Sequence, residues 1–499
     1  MMKSRISVLA LVIAGLGYAV AGEVQPIPIP VVTRDSPVWP AVEAYRNGWD
    51  FLAVGLATPL AKDGNADALF LMGLAKETKG PAQLSRGQAM AYCYREAGKA
   101  GHPEGNLRAL LATVGSNVKE ERNEARTALE TAAGKNDRIA QRLLGEGWLR
   151  SVFEKNPDPA KAKEWWEKSA KLGDTASLVL LGKMYDGTFG FPELTNGKTA
   201  LEYYRQAVQQ GDDSSLVPLG KLLLGKDESI RNENEGRAIL AKAIAKGSVE
   251  AYRILGDIER ESGKDRSVAM AEYRKGAEAG DLPCMYRMAM NLLGQDGGKE
   301  EGLQWLRKAA SAGNPEAAAD LGKRLAKDEP KSACGYLLLA ANEGNPKAQY
   351  DLAMLYLNGD LGYRDATSAV AWLSAAMKTG DAETQYALAS LHEQGVGCPI
   401  NYANAGMLYT VASNRGHGLA AGRIAYMASE GLGTKLNIPQ AWAYATLAVE
   451  RGDESSRELL AAVGSKLDAE GKAAAAQALD QLKGGSALPV GNEKAESRK

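Results

Sequence analysis

A glycine followed by Asp, Asn or His returns at near-constant intervals along this chain: Gly173-Asp174, Gly211-Asp212, Gly280-Asp281, Gly313-Asn314, Gly344-Asn345, Gly380-Asp381, Gly416-His417 and Gly452-Asp453. Gly247 divides the longest gap, and Gly64, Gly101 and Asn136 carry the series toward the N-terminus. The twelve starts at 64, 101, 136, 173, 211, 247, 280, 313, 344, 380, 416 and 452 lie 31 to 38 residues apart. A length of 499 residues would ordinarily imply two or more globular domains, but a period in this range marks a stack of helix-turn-helix repeats.

Other offsets keep the same register. Four residues after each start stands a small residue, from Ala68 and Gly105 through Cys284 to Ser456. Nine after it stands Gly or Ala in every unit but the one at Gly101, where Leu110 breaks the pattern. Small side chains at that spacing let a neighbouring helix approach closely while the adjacent apolar residue fills the gap. A second helix precedes each start. Its aromatic residues fall seven or eight positions before the glycine, as at Trp165 and Trp166, Tyr203 and Tyr204, Tyr273, Trp305, Tyr336, Trp372, Tyr409 and Tyr444, and they read as core. The glycine itself suits a left-handed helix stop, and the Asp or Asn after it suits the cap of the next helix.

With these residues in view the chain resembles the Sel-1-like repeat family of tetratricopeptide-like helical solenoids. The resemblance rests on blocks such as Ala340-Ala341-Asn342-Glu343-Gly344-Asn345-Pro346-Lys347-Ala348, and on the loops Gly395-Val396-Gly397 and Gly431-Leu432-Gly433. It covers roughly residues 41 to 483 and is strongest from 300 onward. It implies an all-α fold, a right-handed α-α superhelical solenoid of about twelve repeats. The expected organisation is a signal peptide over 1–21, a Pro-rich extended lead-in over 22–40, the solenoid over 41–462, a capping helix over 463–483 and a disordered tail over 484–499. Shortened loops at Asp296-Gly297-Gly298 and Lys327-Asp328-Glu329-Pro330 imply a change of pitch near 280 to 344.

The signal peptide is read from Lys3 and Arg5, the apolar stretch Ile6 to Val20, and the small-x-small site Ala19-Val20-Ala21. Spanning a bilayer takes about 20 apolar residues, more than this stretch has, so cleavage and a periplasmic or secreted chain without stable membrane insertion are expected. With 60 basic and 61 acidic side chains there is no net field to draw the protein to nucleic acid.

Little in the sequence carries catalysis. The three histidines, His102, His392 and His417, have no second ligand at metal spacing, so neither a metal nor a cofactor is expected. His102 and His417 take the place of Asp or Asn after the turn glycine. Four cysteines allow three pairings, but Cys93, Cys284 and Cys334 fall at packing positions and read as buried thiols; only Cys398 looks exposed, and no base is apparent to activate it. The lone Ser-x-x-Lys, Ser116 to Lys119, lacks the companion motifs of a β-lactam hydrolase.

What remains is surface, and the chain reads as a non-enzymatic scaffold. Offsets six and ten should face the groove lined by the first helices. They place Tyr286 and Met290, Tyr350 and Met354, Tyr386 and Tyr426 along it, with Arg142, Lys183, Lys221, Arg253 and Lys323 making the middle basic. Such a groove suits an extended peptide or helix of a protein partner in the bacterial envelope. A saccharide, stacked on the exposed rings in an exopolysaccharide-assembly role, is the alternative.

Overall fold

The computed structural model describes residues 36–78, 84–115, 118–262, 266–295, 297–377 and 380–484. The expected signal peptide, the lead-in up to residue 35, Ser116 and the tail from 485 lie outside the described residues. Every regular element among those described is helical, and the chain forms two compact units, one closing at Ala317 and the other opening at Ala318.

Each repeat is built the same way. The eleven glycine starts have φ between +72° and +102°, and the twelfth, Asn136, has φ +62°, the left-handed conformation that stops one helix and turns the chain toward the next. In most repeats the following side chain then caps the new helix; the helix Glu250–Glu261 of the unit at 247 has no such cap. Asp174 accepts from the Ser177 amide at 3.1 Å, Asp381 from Thr384 at 2.9 Å, and His417, standing where other units have Asp or Asn, from Ala420 at 3.1 Å. All twelve small residues at the fourth offset are buried.

A lock between the two helices of a repeat explains the ninth offset. A methyl group added at Gly73, Gly145, Gly182 or Gly256 would lie 2.4 to 2.5 Å from the ring of Tyr94, Trp166, Tyr204 or Tyr273 in the second helix. Each of these rings stands seven residues before the next start. Where the ninth residue is Gly220 or Gly322, Leu240 or Leu337 fills the same place. The structure therefore separates two positions that the sequence reading treated together as core. The seventh residue before the start is buried from Tyr94 through Leu306 to Ala445. The eighth is half-buried at Trp165, Tyr203, Trp305 and Tyr336, one residue of helix or about 100° round toward the surface, but is buried as expected at Trp372 and Tyr444.

The irregular unit at 101 solves the packing differently. Its first helix, Gly105–Val114, brings Gly105 so close to the preceding helix that an added methyl would sit 2.3 Å from the Gly98 backbone nitrogen. The glycine of this unit thus stands at the fourth offset, and Leu110 stands at the ninth.

Two helices precede the first repeat. Trp39–Arg46 takes Pro40 into its first turn, so residues 39 and 40 of the expected lead-in are helical, and Asp50–Lys62 follows. Val42, Tyr45, Trp49 and Ala53 share a core with Phe70 and Leu74, and Leu282 packs against that same core. Leu52 lies so close to Gly313 that a methyl group there would be 2.7 Å from Cδ2. This N-terminal pair thus touches both the first repeat and the units at 280 and 313. At the other end, Arg457–Ser465 runs across the boundary expected at 463. It is followed by Ala469–Lys483, which packs on Ile438–Glu450 and buries Ala475 and Leu482. No described helix is long and apolar enough to cross a membrane.

Candidate functional site

In the unit from 318 onward, the first helices Pro346–Asn358, Ala382–Gln394 and Gly418–Glu430 carry four of the six groove residues. Tyr350 donates its hydroxyl to Glu383 Oε1 at 3.4 Å, and Glu383 Oε2 lies 3.1 Å from His417 Nε2. The His417 ring stacks on Tyr386, with centroids 4.5 Å apart and planes 20° from parallel. Beyond it, Arg423 grips the buried Glu393 carboxylate and lies over the Tyr426 ring at 4.9 Å. Tyr350 and Tyr386 are thereby joined through Glu383 and His417. From Tyr386 the row reaches Arg423 and Tyr426 through the Tyr409 ring, 5.6 Å away, and Glu393, which accepts from the Tyr409 hydroxyl at 2.8 Å and from Arg423. Met354 is half-buried one turn beyond Tyr350.

Partial burial and the carboxylate of Glu383 push the Tyr350 phenol up to about 12, so it acts as a hydrogen-bond donor at any physiological pH. Tyr426 is 40% exposed, the most open aromatic of the row. The sequence reading missed Glu383 and Arg423. Their signal was periodic: Glu383 is three residues after its start, as are Glu104, Glu250 and Glu316 after theirs.

Tyr286 and Met290 belong to the other unit and have a different setting. They line a cavity of about 580 Å³ whose opposite wall includes Asn47 and Trp49 of the N-terminal pair. Met290 stays 39% exposed there, and Asn47 and Trp49 add a second segment to the lining of the groove. Periodicity could not reveal this, since the pair at 39–62 lies outside the repeat.

The expected basic middle is corrected at Arg142. Arg142 is 1% exposed and buried among carboxylates: it is paired with Glu104, lies 3.1 Å from Glu146 and 3.1 Å from Asp174, while Glu146 also pairs with the buried Arg108. Such a network holds adjacent units in register and offers no charge to a ligand. Arg142 and Glu146 are four apart on one helix, a pattern visible in the sequence. Lys183 is half-buried, and burial pushes its ammonium below the usual lysine range. Lys221 and Lys323 are exposed.

Among the described residues no disulfide joins the cysteines. Cys398 is half-buried and not exposed as expected, and it has a neighbour the sequence did not reveal, His392, whose Nδ1 lies 3.4 Å from the Sγ. Burial pushes the thiol up and the imidazole down, opposite to what a thiolate-imidazolium nucleophile requires.

Six stretches of the chain, 139–174, 175–212, 282–314, 346–380, 382–417 and 418–453, match the family model described as the Sel1 repeat. Among solved structures, the chain is similar to c5321, described as a protective antigen present in uropathogenic Escherichia coli strains and displaying an SLR fold. The identity is 21%, covering 89% of this chain and 99% of that one, with a TM-score of 0.48. It is also similar to a Sel1 repeat protein from Oxalobacter formigenes, at 22% identity over 60% of this chain and 90% of that one, with a TM-score of 0.41. No curated protein matches the chain.

Proposed function

Taking as premise that this chain is a Sel1-repeat solenoid protein, we propose that it is a non-catalytic scaffold of the bacterial cell envelope, exported to the periplasm or beyond, that holds a segment of a partner protein. The row from Tyr350 through Glu383, His417, Tyr386 and Arg423 to Tyr426 carries this reading. Its rings are pinned in place by polar contacts on one side and remain partly open on the other, so they are ordered before a partner arrives. Preordered aromatic anchors lose little entropy on binding and dominate interface energies. Export is supported by the charged and apolar pattern of the first 21 residues.

The test is affinity purification of the mature chain from an envelope fraction, comparing wild type with Tyr350→Ala, Tyr386→Ala and Tyr426→Ala. We expect partner recovery to fall about tenfold while the circular-dichroism melt stays within a few degrees. Full recovery by all three variants would remove the row from the interface, and collapse of the melt would make these rings packing residues. The open Tyr426 ring beside Arg423 also supports the saccharide reading; selective binding on a glycan array without protein capture would establish it instead.

A further inference from the structure

The cavity beside Tyr286 has a chemistry that the aromatic row lacks. Four guanidinium groups, Arg253, Arg260, Arg266 and Arg287, stand on its wall together with a single carboxylate, Glu316. They come from the first helices of the units at 247 and 280 and from the helix Arg266–Glu278 between them. Trp49, from the N-terminal pair, supplies an apolar side to the same space, and Tyr286 and Met290 complete it.

The protein only partly neutralises these arginines. Arg253 donates to Glu250 at 2.8 Å. Asp257 is shared: it accepts from the Tyr273 hydroxyl at 2.7 Å and from Arg287 at 3.1 Å, and it lies 3.8 Å from Arg260. Arg266 faces the amide of Asn291, whose oxygen accepts at 2.8 and 3.0 Å once turned toward it. Asp281, the other carboxylate near Arg253, is buried as a helix cap, and burial raises its pKa. The Nε atoms of Arg253 and Arg287 are buried with no acceptor. Leaving such donors unmade is costly, and both guanidinium groups are only partly satisfied by the protein. Arg287 is held in orientation by its place over the Tyr273 ring, 5.7 Å from its centroid.

Guanidinium groups held in fixed orientation at a concave wall match planar carboxylates. The cavity volume is in the range of ligand pockets, large enough for more than one side chain, and its apolar wall suits the methylenes and backbone of a peptide. We propose that this cavity seats acidic side chains of a peptide segment from a partner protein, with Arg253 and Arg287 as the carboxylate-binding groups and Trp49 as an apolar part of the wall. The choice of a peptide rests on the scaffold reading above, but the residues are separate from the row at Tyr386.

The experiment is fluorescence anisotropy of the mature full chain with a labelled hexaglutamate peptide, at low salt and at about 0.3 M salt, where screening should weaken binding. Hexaglutamine and tetragalacturonate serve as comparison ligands. We expect saturable binding of hexaglutamate and none of hexaglutamine. Arg253→Gln and Arg287→Gln should each weaken it at least about tenfold, and Glu316→Gln should tighten it, because a competing like charge is removed. Lys221→Gln, on an exposed lysine of a neighbouring first helix, should leave it unchanged. Should either inner arginine variant fail the circular-dichroism melt, Glu316→Gln and the more peripheral Arg266→Gln carry the same comparison. The proposal is overturned by absence of hexaglutamate binding, by equal binding of hexaglutamine, or by wild-type affinity in the folded arginine variants. Tighter binding of tetragalacturonate, lost in the same variants, overturns it in favour of an acidic saccharide. Tyr386→Ala should retain hexaglutamate binding, so loss of partner capture through the row and loss of this pocket are read separately.

Discussion

At Gly182 an added methyl group would lie 2.5 Å from Cε1 of Tyr204, while at Gly335 it would meet nothing within 4 Å. Both glycines are inside helices, so helix propensity alone favours alanine at each by about 1 kcal/mol. At Gly182 overpacking wins, and Gly182→Ala should destabilise by about 2 kcal/mol, whereas Gly335→Ala should stabilise by somewhat less than 1 kcal/mol. Urea midpoints of the two variants decide the matter, and shifts of the same sign would sink the lock. Histidine supplies a second contrast at this scale. His102 is 4% exposed, stacks on Phe70 at 3.8 Å and accepts the Glu104 amide on Nδ1, so its burial holds the imidazole below the unfolded value of 6.5. His392 is lowered by burial as well. In the window below pH 6.5 and above the folded value, the unfolded chain binds more protons than the folded one. This contribution is therefore complete above pH 6.5 and is lost as pH falls. The melting temperature should drop between about pH 7 and pH 5, and His102→Asn, which keeps a cap acceptor, should flatten part of that drop.

Helix pairing is decided by which residue of two adjacent ones meets the ninth-offset position of the preceding helix. In the helix Lys299–Ser311, Leu306 is fully buried while its neighbour Trp305 is half-buried, with Lys308 over the ring at 4.8 Å. Size in the sequence points to Trp305 as the anchor; its position in the helix gives that role to Leu306. Leu306→Ala should cost about 3 kcal/mol and Trp305→Ala about 1 kcal/mol, measured as shifts in chemical unfolding. The opposite order would mean that the tryptophan holds the pair together. The burial of Arg142 is likewise set between elements. Arg142 points where its offset says, but Glu104 and Asp174 from the flanking units converge on it, and one repeat considered alone contains only Glu146 of its three partners.

Across the whole molecule, a repeat array is stabilised mainly by contacts between successive pairs, so damage should remain local. Leu337→Ala empties the contact with Gly322. It should speed amide hydrogen exchange in Pro315–Leu325 and Pro330–Asn342 while leaving Ile438–Glu450 at its wild-type rate; uniform loss of protection would show a single cooperative block. The repeat period, the turn geometry, the caps and the small buried positions were all legible in the amino-acid order, because each depends on a few neighbouring residues. So were the tyrosines of the row, since offset places them on one helix face. Their partners Glu383, His417 and Arg423, the pairing of His392 with Cys398, and the burial of Arg142 were not, because each needs the distance between side chains on different elements. The order of residues by itself determined a stack of helical pairs. Only tertiary packing decided that Trp39–Lys62, which has no place in the repeat, lies against the units at 280 and 313 and makes one wall of the arginine-lined cavity. Contacts between segments so distant in sequence follow no period, and they arise only when the chain returns on itself.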